Sequence, residues 1–257
     1  LPEADRALLE SAARSAGEIA RRHFKRDPKV WQKGDQGPVT EADLEVDAML
    51  HDRLLGTRPD YGWLSEESYQ TDRRTGQRTF VIDPIDGTRA FIEGNGAFTH
   101  SLAVVEDGRT VAAAIYQPMR DRLWSAHAGG GASLNGVPIA PSGRAGLEEA
   151  TVLAAKPTFR AQNWERMPDV RRTFRSSLAY RLALVAQGRF DAMVTLRDCW
   201  HWDIAAGDLI CTEAGASCTD RFGSPLHYGT GIPKVVGVIA GSPAVHAGLL
   251  DRVATPG

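Results

Sequence analysis

The chain has 257 residues, 42% of them hydrophobic and 24% charged, an ordinary balance for a globular protein with room for one large domain or two halves sharing an interface. Its formal net charge of −2 gives no bulk attraction to nucleic acid or an anionic membrane, so an anionic ligand needs a local positive site. No apolar run approaches the ~20 residues of a membrane span, and the unpatterned Cys199, Cys211 and Cys218 argue for a reducing cytoplasm, against both a disulfide framework and a thiolate zinc site.

In chain order, Ala4, Leu8, Ala12, Ala16, Ile19 and Phe24 recur at helical spacing, which predicts an amphipathic helix over Glu3–Phe24. After a polar stretch, Thr40 reads as the N-cap of a second helix that Pro59 terminates. Short strands are expected at Tyr61–Leu64 and Thr79–Ile82. An antiparallel pair follows at Phe98–Val105 and Thr110–Tyr116, turned by Asp107-Gly108. Pro138–Gly146 reads as a boundary between an N-terminal half (1–146) and a C-terminal half (147–257) of one compact unit. The second half alternates: strand Val152–Ala155, helix Leu178–Gln187, strand Phe190–Thr195, helix Asp203–Glu213 closed by Gly215, strand Val235–Ala240 and helix Pro243–Val253. Strands with helices packed on them indicate an α/β or α+β chain in layers.

The most informative stretch is Phe80-Val81-Ile82-Asp83-Pro84-Ile85-Asp86-Gly87-Thr88. An apolar strand is expected to stop at Asp83, because Pro84 has no N–H for the ladder. Gly87-Thr88 then opens a short helix whose unpaired N–H groups favour an anion. Two acids beside an anion site make chemical sense if cations neutralise them, and all-oxygen donors suit Mg²⁺ better than Zn²⁺. Acids at strand ends and turns are also common without any ligand. The same ambiguity holds for Ser65-Glu66-Glu67-Ser68 after a strand. It holds for Asp203 in the first turn of a helix, where an acid simply answers the dipole. It holds again for Asp43, three residues after Thr40, where a capping box is sufficient reason.

Taken together, Pro38-Val39-Thr40-Glu41-Ala42-Asp43, Ser65-Glu66-Glu67-Ser68, Asp83-Pro84-Ile85-Asp86-Gly87-Thr88 and Trp202-Asp203 through Glu213-Ala214-Gly215 resemble the inositol monophosphatase family in order and spacing. The resemblance implies an αβαβα sandwich of the inositol monophosphatase and fructose bisphosphatase type, a homodimer, and a Mg²⁺-dependent, lithium-sensitive phosphomonoesterase using a metal-activated water. It implies two to three Mg²⁺ ions: one on Glu66, Asp83 and the Ile85 carbonyl, a second on Asp83, Asp86 and Asp203, and a third, weaker one near Asp43. Glu67 matches the second acid of its motif. The N–H groups of Gly87 and Thr88 match positions that hold the phosphate, and the Thr88 hydroxyl, with Glu66 and Asp43, matches the group that orients the attacking water. Asp86, Asp203, Ser177 and Leu178 complete the expected substrate contacts.

Gly96-Ala97-Phe98-Thr99 and Ser176-Ser177-Leu178 resemble the bacterial 3′(2′),5′-bisphosphate nucleotidase branch, against inositol-1-phosphate and histidinol-phosphate phosphatases as alternatives. Leu196 stands where inositol-preferring members carry Glu, which predicts an apolar wall, with Arg181 or Arg197 available to a second phosphate. A zinc site at Cys199 and His201 is disfavoured, since two unlike ligands at that spacing more often pack a loop. Two other classes compete. An aspartyl-phosphate enzyme would need one residue, not two, between Asp83 and Asp86, and a non-catalytic regulatory partner would not need the full acidic set. The expected partner is a small phosphorylated metabolite, with neither nucleic acid nor membrane.

Overall fold

The computed structural model describes residues 1–34, 37–69, 76–229 and 231–254. Helix α1 (Pro2–His23) turns Leu9, Ala12, Ala13, Ala16, Ile19 and Ala20 inward, the i, i+3, i+4, i+7 spacing of a one-sided helix. Strands β1 (Val30–Gln32) and β2 (Pro38–Thr40) pair antiparallel and deliver the chain to α2 (Glu41–Thr57). The start of α2 is a capping box in which Thr40 and Asp43 each bond the other's backbone N–H.

Next come β3 (Gly62–Ser65), β4 (Arg78–Asp86), the short helix α3 (Thr88–Ile92), β5 (Thr99–Glu106), β6 (Arg109–Gln117), β7 (Arg122–His127), β8 (Ala132–Leu134) and β9 (Val137–Pro138). Strands β3 to β9 form one seven-stranded sheet in sequence order, parallel only at β3–β4. Beyond residue 138 the chain builds β10 (Ala150–Leu153), β11 (Val170–Thr173), α4 (Leu178–Ala186), β12 (Ala192–Thr195), β13 (Cys199–Trp200), α5 (His201–Glu213), β14 (Ser217–Thr219), β15 (Lys234–Val235), β16 (Val238–Gly241) and α6 (Pro243–Leu250). A second sheet takes the order β11-β10-β12-β16-β14, while β13 and β15 pair separately.

Three apolar clusters set the layers. Leu9, Val46, Leu50 and Leu54 of α1 and α2 pack on Phe80, Ile82, Leu102 and Val104 of the large sheet. Its opposite face, with Val81, Ala103 and Ile115, packs on Leu182, Val185, Ile204 and Ile210 of α4 and α5, which also meet Met193 and Ala240 of the second sheet. The far face of that sheet, through Val152, Val194 and Ile239, covers Val245 and Leu249 of α6. The layers therefore read helix, sheet, helix, sheet, helix. All nine residues of α4 are buried, as a helix between two sheets must be, and each large aliphatic side chain removed from water there contributes roughly 1.5–3 kcal/mol.

Several boundaries depart from expectation. The strand foreseen over Val235–Ala240 divides into β15 and β16 at Gly237, whose φ of 71° breaks extended backbone. The helix foreseen from Pro243 to Val253 ends at Leu250, and α5 starts at His201 instead of Asp203. Strand β4 does not stop at Asp83: it bulges at Pro84 and resumes pairing at Asp86, opposite Thr99. Strands β1, β2, β7, β8, β9, β11, β13 and β14 have no counterpart in the sequence reading.

Helices α4 and α5 pack tightly at Gly207, where an added Cβ would sit 2.4 Å from Leu182 Cδ1 and 2.5 Å from Leu182 Cβ. Gly207→Ala is expected to cost roughly 1–3 kcal/mol through overpacking, seen as a fall of several degrees in the thermal midpoint. An unchanged midpoint would show that the two helices can part without cost.

Candidate active site

A cavity of about 900 Å³ opens where the two sheets and α3 meet, with Glu66, Asp83, Asp86, Thr88, Trp202 and Asp203 among its lining residues. Asp83 and Asp86 come from the two ends of the β4 bulge, and Asp203 from the first turn of α5 in the other half of the chain. A hydrogen bond of 2.9 Å from Ser101 Oγ on β5 to the Trp202 carbonyl joins the large sheet to the start of α5. Carboxylate oxygens of Asp83, Asp86 and Asp203 all lie within 4.8 Å of one another.

No cation among the described residues pairs with this trio. Asp83 is 1% exposed, and its Oδ1 is buried without a hydrogen-bond partner among the described residues. Burial, and then the charges of Glu66, Asp86 and Asp203, push the Asp83 pKa well above the carboxylate range. Asp203 is raised likewise by burial and by Asp86 and Glu66, with Arg197 pulling the other way. Asp86 is pushed up to about 6 by burial, against the Ser177 hydroxyl and Ala179 N–H that both donate to Oδ2, at 2.5 and 2.7 Å. An acid left without a donor is what a cation site looks like when viewed through its protein atoms alone.

The neighbouring acids are tied differently. Lys33 Nζ donates to Glu66 Oε1 at 3.0 Å and to both oxygens of Glu67 at 2.8 Å. Burial opposes the lysine's charge, but Glu66 and Glu67 outweigh it and raise its pKa. Glu67 itself is pushed up to about 8 by burial and the charge of Glu66. At the other wall the Thr88 hydroxyl lies 3.2 Å from Asp43 Oδ1 and 3.1 Å from the Ile85 carbonyl oxygen. Asp43 Oδ2 accepts from the Thr40 N–H at 2.8 Å, and burial carries its pKa to about 6. Gly87, at φ 102°, makes the turn from β4 into α3, and a Cβ there would meet the Ala97 carbonyl oxygen at 3.3 Å.

The sequence-predicted residues thus converge on one cavity: Glu66, Asp83, Ile85, Asp86, Gly87, Thr88, Leu178 and Asp203 all line it, and Asp43 touches Thr88. Three expectations need correction. Ser177 is fully buried, and its hydroxyl supports Asp86 instead of facing a substrate. Leu196 is not a wall of the cavity, because it packs with Val194 and Ile239 on the far face of the second sheet. Arg181 is 5% exposed and spends its guanidinium on the Arg175 and Ser176 carbonyls and the Phe174 ring, so it is a loop anchor and not a free cation. Arg197 does line the cavity, together with Arg175 and Arg189, which the sequence reading did not single out. Lys33 was also missed, since a lysine in a polar loop carries no signal of its partners. Cys199, on β13, turns its thiol to Thr195 and the Arg197 carbonyl, and His201, the first residue of α5, packs edge-on to Tyr228.

The model of the inositol monophosphatase family matches residues 2–255. This chain belongs to the inositol monophosphatase family. It is 32% identical over 232 residues to an inositol-1-monophosphatase of Rhizobium meliloti, covering 86% of this chain and 85% of that one. It is 34% identical over 258 residues to the Nus factor SuhB of Escherichia coli, covering 94% and 92%. Among solved structures, a Thermotoga maritima IMPase superposes with a TM-score of 0.84 at 31% identity, over 97% of this chain and 96% of that one. The SuhB protein of Bartonella henselae gives 0.83 at 29% identity, over 96% and 97%. The chain is accordingly an inositol monophosphatase-family phosphatase, a phosphoric monoester hydrolase, with the layered α/β sandwich of that family. The family is metal-dependent, and a carboxylate cluster of Asp83, Asp86 and Asp203 is present in the cavity.

The raised pKa values make a prediction. Asp43 and Asp86 near 6 and Glu67 near 8 hold protons in the folded state that the unfolded chain would release at lower pH. The stability these three groups contribute to the metal-stripped protein is therefore fully present below the unfolded carboxylate range and is lost as pH rises through 6 to 8. A cation that binds only ionised carboxylates reverses the trend. The thermal midpoint in chelator is expected to fall between about pH 5.5 and 8, and Mg²⁺ to raise it more at the higher pH. An equal Mg²⁺ effect at both pH values would count against the acids as ligands.

Proposed function

We propose that this protein is a Mg²⁺-dependent phosphomonoesterase acting on a small ester that carries a second anionic group, with a nucleoside 3′,5′-bisphosphate as the leading candidate. The observation that carries the metal reading is the buried Asp83 Oδ1, which has no hydrogen-bond partner among the described residues, beside two further carboxylates, a donor set of oxygens only. Glu66, Asp83 and the Ile85 carbonyl would hold one ion, Asp83, Asp86 and Asp203 a second, and Asp43 a weaker third. When bound, such ions screen phosphoryl charge and lower the pKa of a coordinated water.

The chain's own groups supply orientation and proton handling. Gly87 and Thr88 stand at the start of α3, where N–H groups lack helical acceptors and can hold phosphate oxygens. Thr88 Oγ donates to Asp43 and retains lone pairs to accept a hydrogen from the attacking water. With its pKa near 6, Asp43 is ionised at neutral pH and can take up the proton that passes through Thr88. Thr88→Ala is expected to lower kcat far more than it raises KM, and Thr88→Ser to recover most of the rate. Equal kinetics for the two variants would remove the hydroxyl from the mechanism.

Arg175, Arg189 and Arg197 around the same cavity support the second anionic group. Guanidinium groups pair phosphate bidentately, and a neutral polyol gives them nothing to pair. A second reading, inositol 1-phosphate, is favoured by the 32% identity to a protein named inositol-1-monophosphatase. The homodimer expected from the family goes with either substrate. The deciding experiment compares 3′-phosphoadenosine 5′-phosphate, inositol 1-phosphate and histidinol phosphate on one preparation, with Mg²⁺ and with chelator. The bisphosphate is expected to give the highest kcat/KM, and Arg197→Ala to cut its advantage by about tenfold or more. If inositol 1-phosphate leads by about tenfold, the second reading replaces the first. Failure to hydrolyse any ester in Mg²⁺ would sink both.

A further inference from the structure

Between the pairs Asp83↔Ser101 and Asp86↔Thr99, one residue of β5, His100, stands opposite two of β4, Pro84 and Ile85. The bulge interrupts the ladder there, and Pro84 has no N–H of its own to offer. The Pro84 carbonyl is answered by a side chain instead: His100 Nδ1 lies at hydrogen-bond distance from it, and since a carbonyl can only accept, Nδ1 carries the proton.

The imidazole has no exposed surface and sits between the Phe98 and Tyr116 rings, each centroid 6.3 Å away. Burial pulls its pKa down to about 4, so the ring is neutral and Nε2 is a bare acceptor. That Nε2 is buried with no hydrogen-bond partner among the described residues. An apolar side chain would fill this space without orphaning an acceptor, so packing does not explain the histidine. Among the described residues, its side chain's one hydrogen bond is with the backbone of the segment that bears Asp83, the Ile85 carbonyl and Asp86.

We propose that His100 is a positioning residue for the metal site: its Nδ1–H fastens the Pro84 carbonyl, holds the bulge, and thereby aims Asp83 and the Ile85 carbonyl into the cavity. The inference rests on the metal-site reading above. Its test is Mg²⁺ binding by calorimetry on the stripped protein, comparing wild type with three variants whose folding is checked by circular dichroism. His100→Asn keeps an N–H at the place of Nδ1. His100→Gln is polar but carries its amide out to the level of Nε2, and His100→Leu has no donor.

Leu and Gln are expected to weaken Mg²⁺ binding by about tenfold or more, and Asn by no more than about threefold. Wild-type affinity in both Leu and Gln would overturn the inference, and so would an equal loss in all three variants, since shape alone would then matter. If the Leu variant does not fold, the contrast between Asn and Gln decides. Absence of Mg²⁺ binding by the wild type overturns the metal-site reading itself, a result separable from failure of the variants to differ.

Discussion

Three carboxylates whose oxygens lie within 4.8 Å of one another, in a cavity walled by protein, impose the strongest constraint on this molecule. At an effective dielectric near 20, each ionised pair at that distance repels by roughly 3–4 kcal/mol. Without cations the cluster relieves this by keeping protons: burial first, and then neighbouring acids, raise the pKa values of Asp83 and Asp203, and burial raises that of Asp86. The rest of the structure acts to hold the acids where repulsion would drive them apart. Strand β4 is anchored between β3 and β5, Asp86 is gripped by Ser177 and the start of α4, and α5 is bound to the large sheet through Ser101.

Acids elsewhere in the molecule show what a structural carboxylate looks like. Asp5 is fully buried on α1, yet it is met by Arg58 and Arg78 at 3.0 Å and by the Tyr61 hydroxyl at 2.9 Å. Asp191 receives Ser142, Arg144 and both the N–H and hydroxyl of Thr151. Breaking such a buried network is costly because it leaves a charge uncompensated. Asp83 has that uncompensated state built in. The contrast, within one chain, separates acids that stabilise the fold from acids that the fold must stabilise.

Around the acids the cavity changes sign. Lys33 bridges Glu66 and Glu67 on one side, while Arg175, Arg189 and Arg197 line the cavity with the acids. A chain with a net charge of only −2 thus concentrates opposite charges in adjoining parts of a single cavity. Clustered acids beside clustered guanidinium groups suit a ligand that arrives with both charges: cations for the first and phosphoryl oxygens for the second.

Local chemistry was enough to read much of this from the sequence. Thr40 and Asp43 form the capping box their spacing indicates, the Asp107-Gly108 turn joins β5 to β6, and Asp83-Pro84-Ile85-Asp86-Gly87-Thr88 marks the acids that line the cavity. These are effects of residues within a few positions of one another, which is the range over which sequence pattern reports structure. What only the tertiary structure decided depends on long-range contact. Asp203 joins Asp83 from 120 positions further along the chain because two sheets sandwich α4 and α5. Leu196, one residue before a cavity arginine, packs instead with Val194 and Ile239 in the core beneath the second sheet, a contact set by the strands around it. Arg181 and Arg197 look alike in sequence, but burial gives the first to loop carbonyls and leaves the second for the cavity. The task of His100 is set by a bulge on a neighbouring strand, and pairing register is a property of two strands that neither strand's pattern contains.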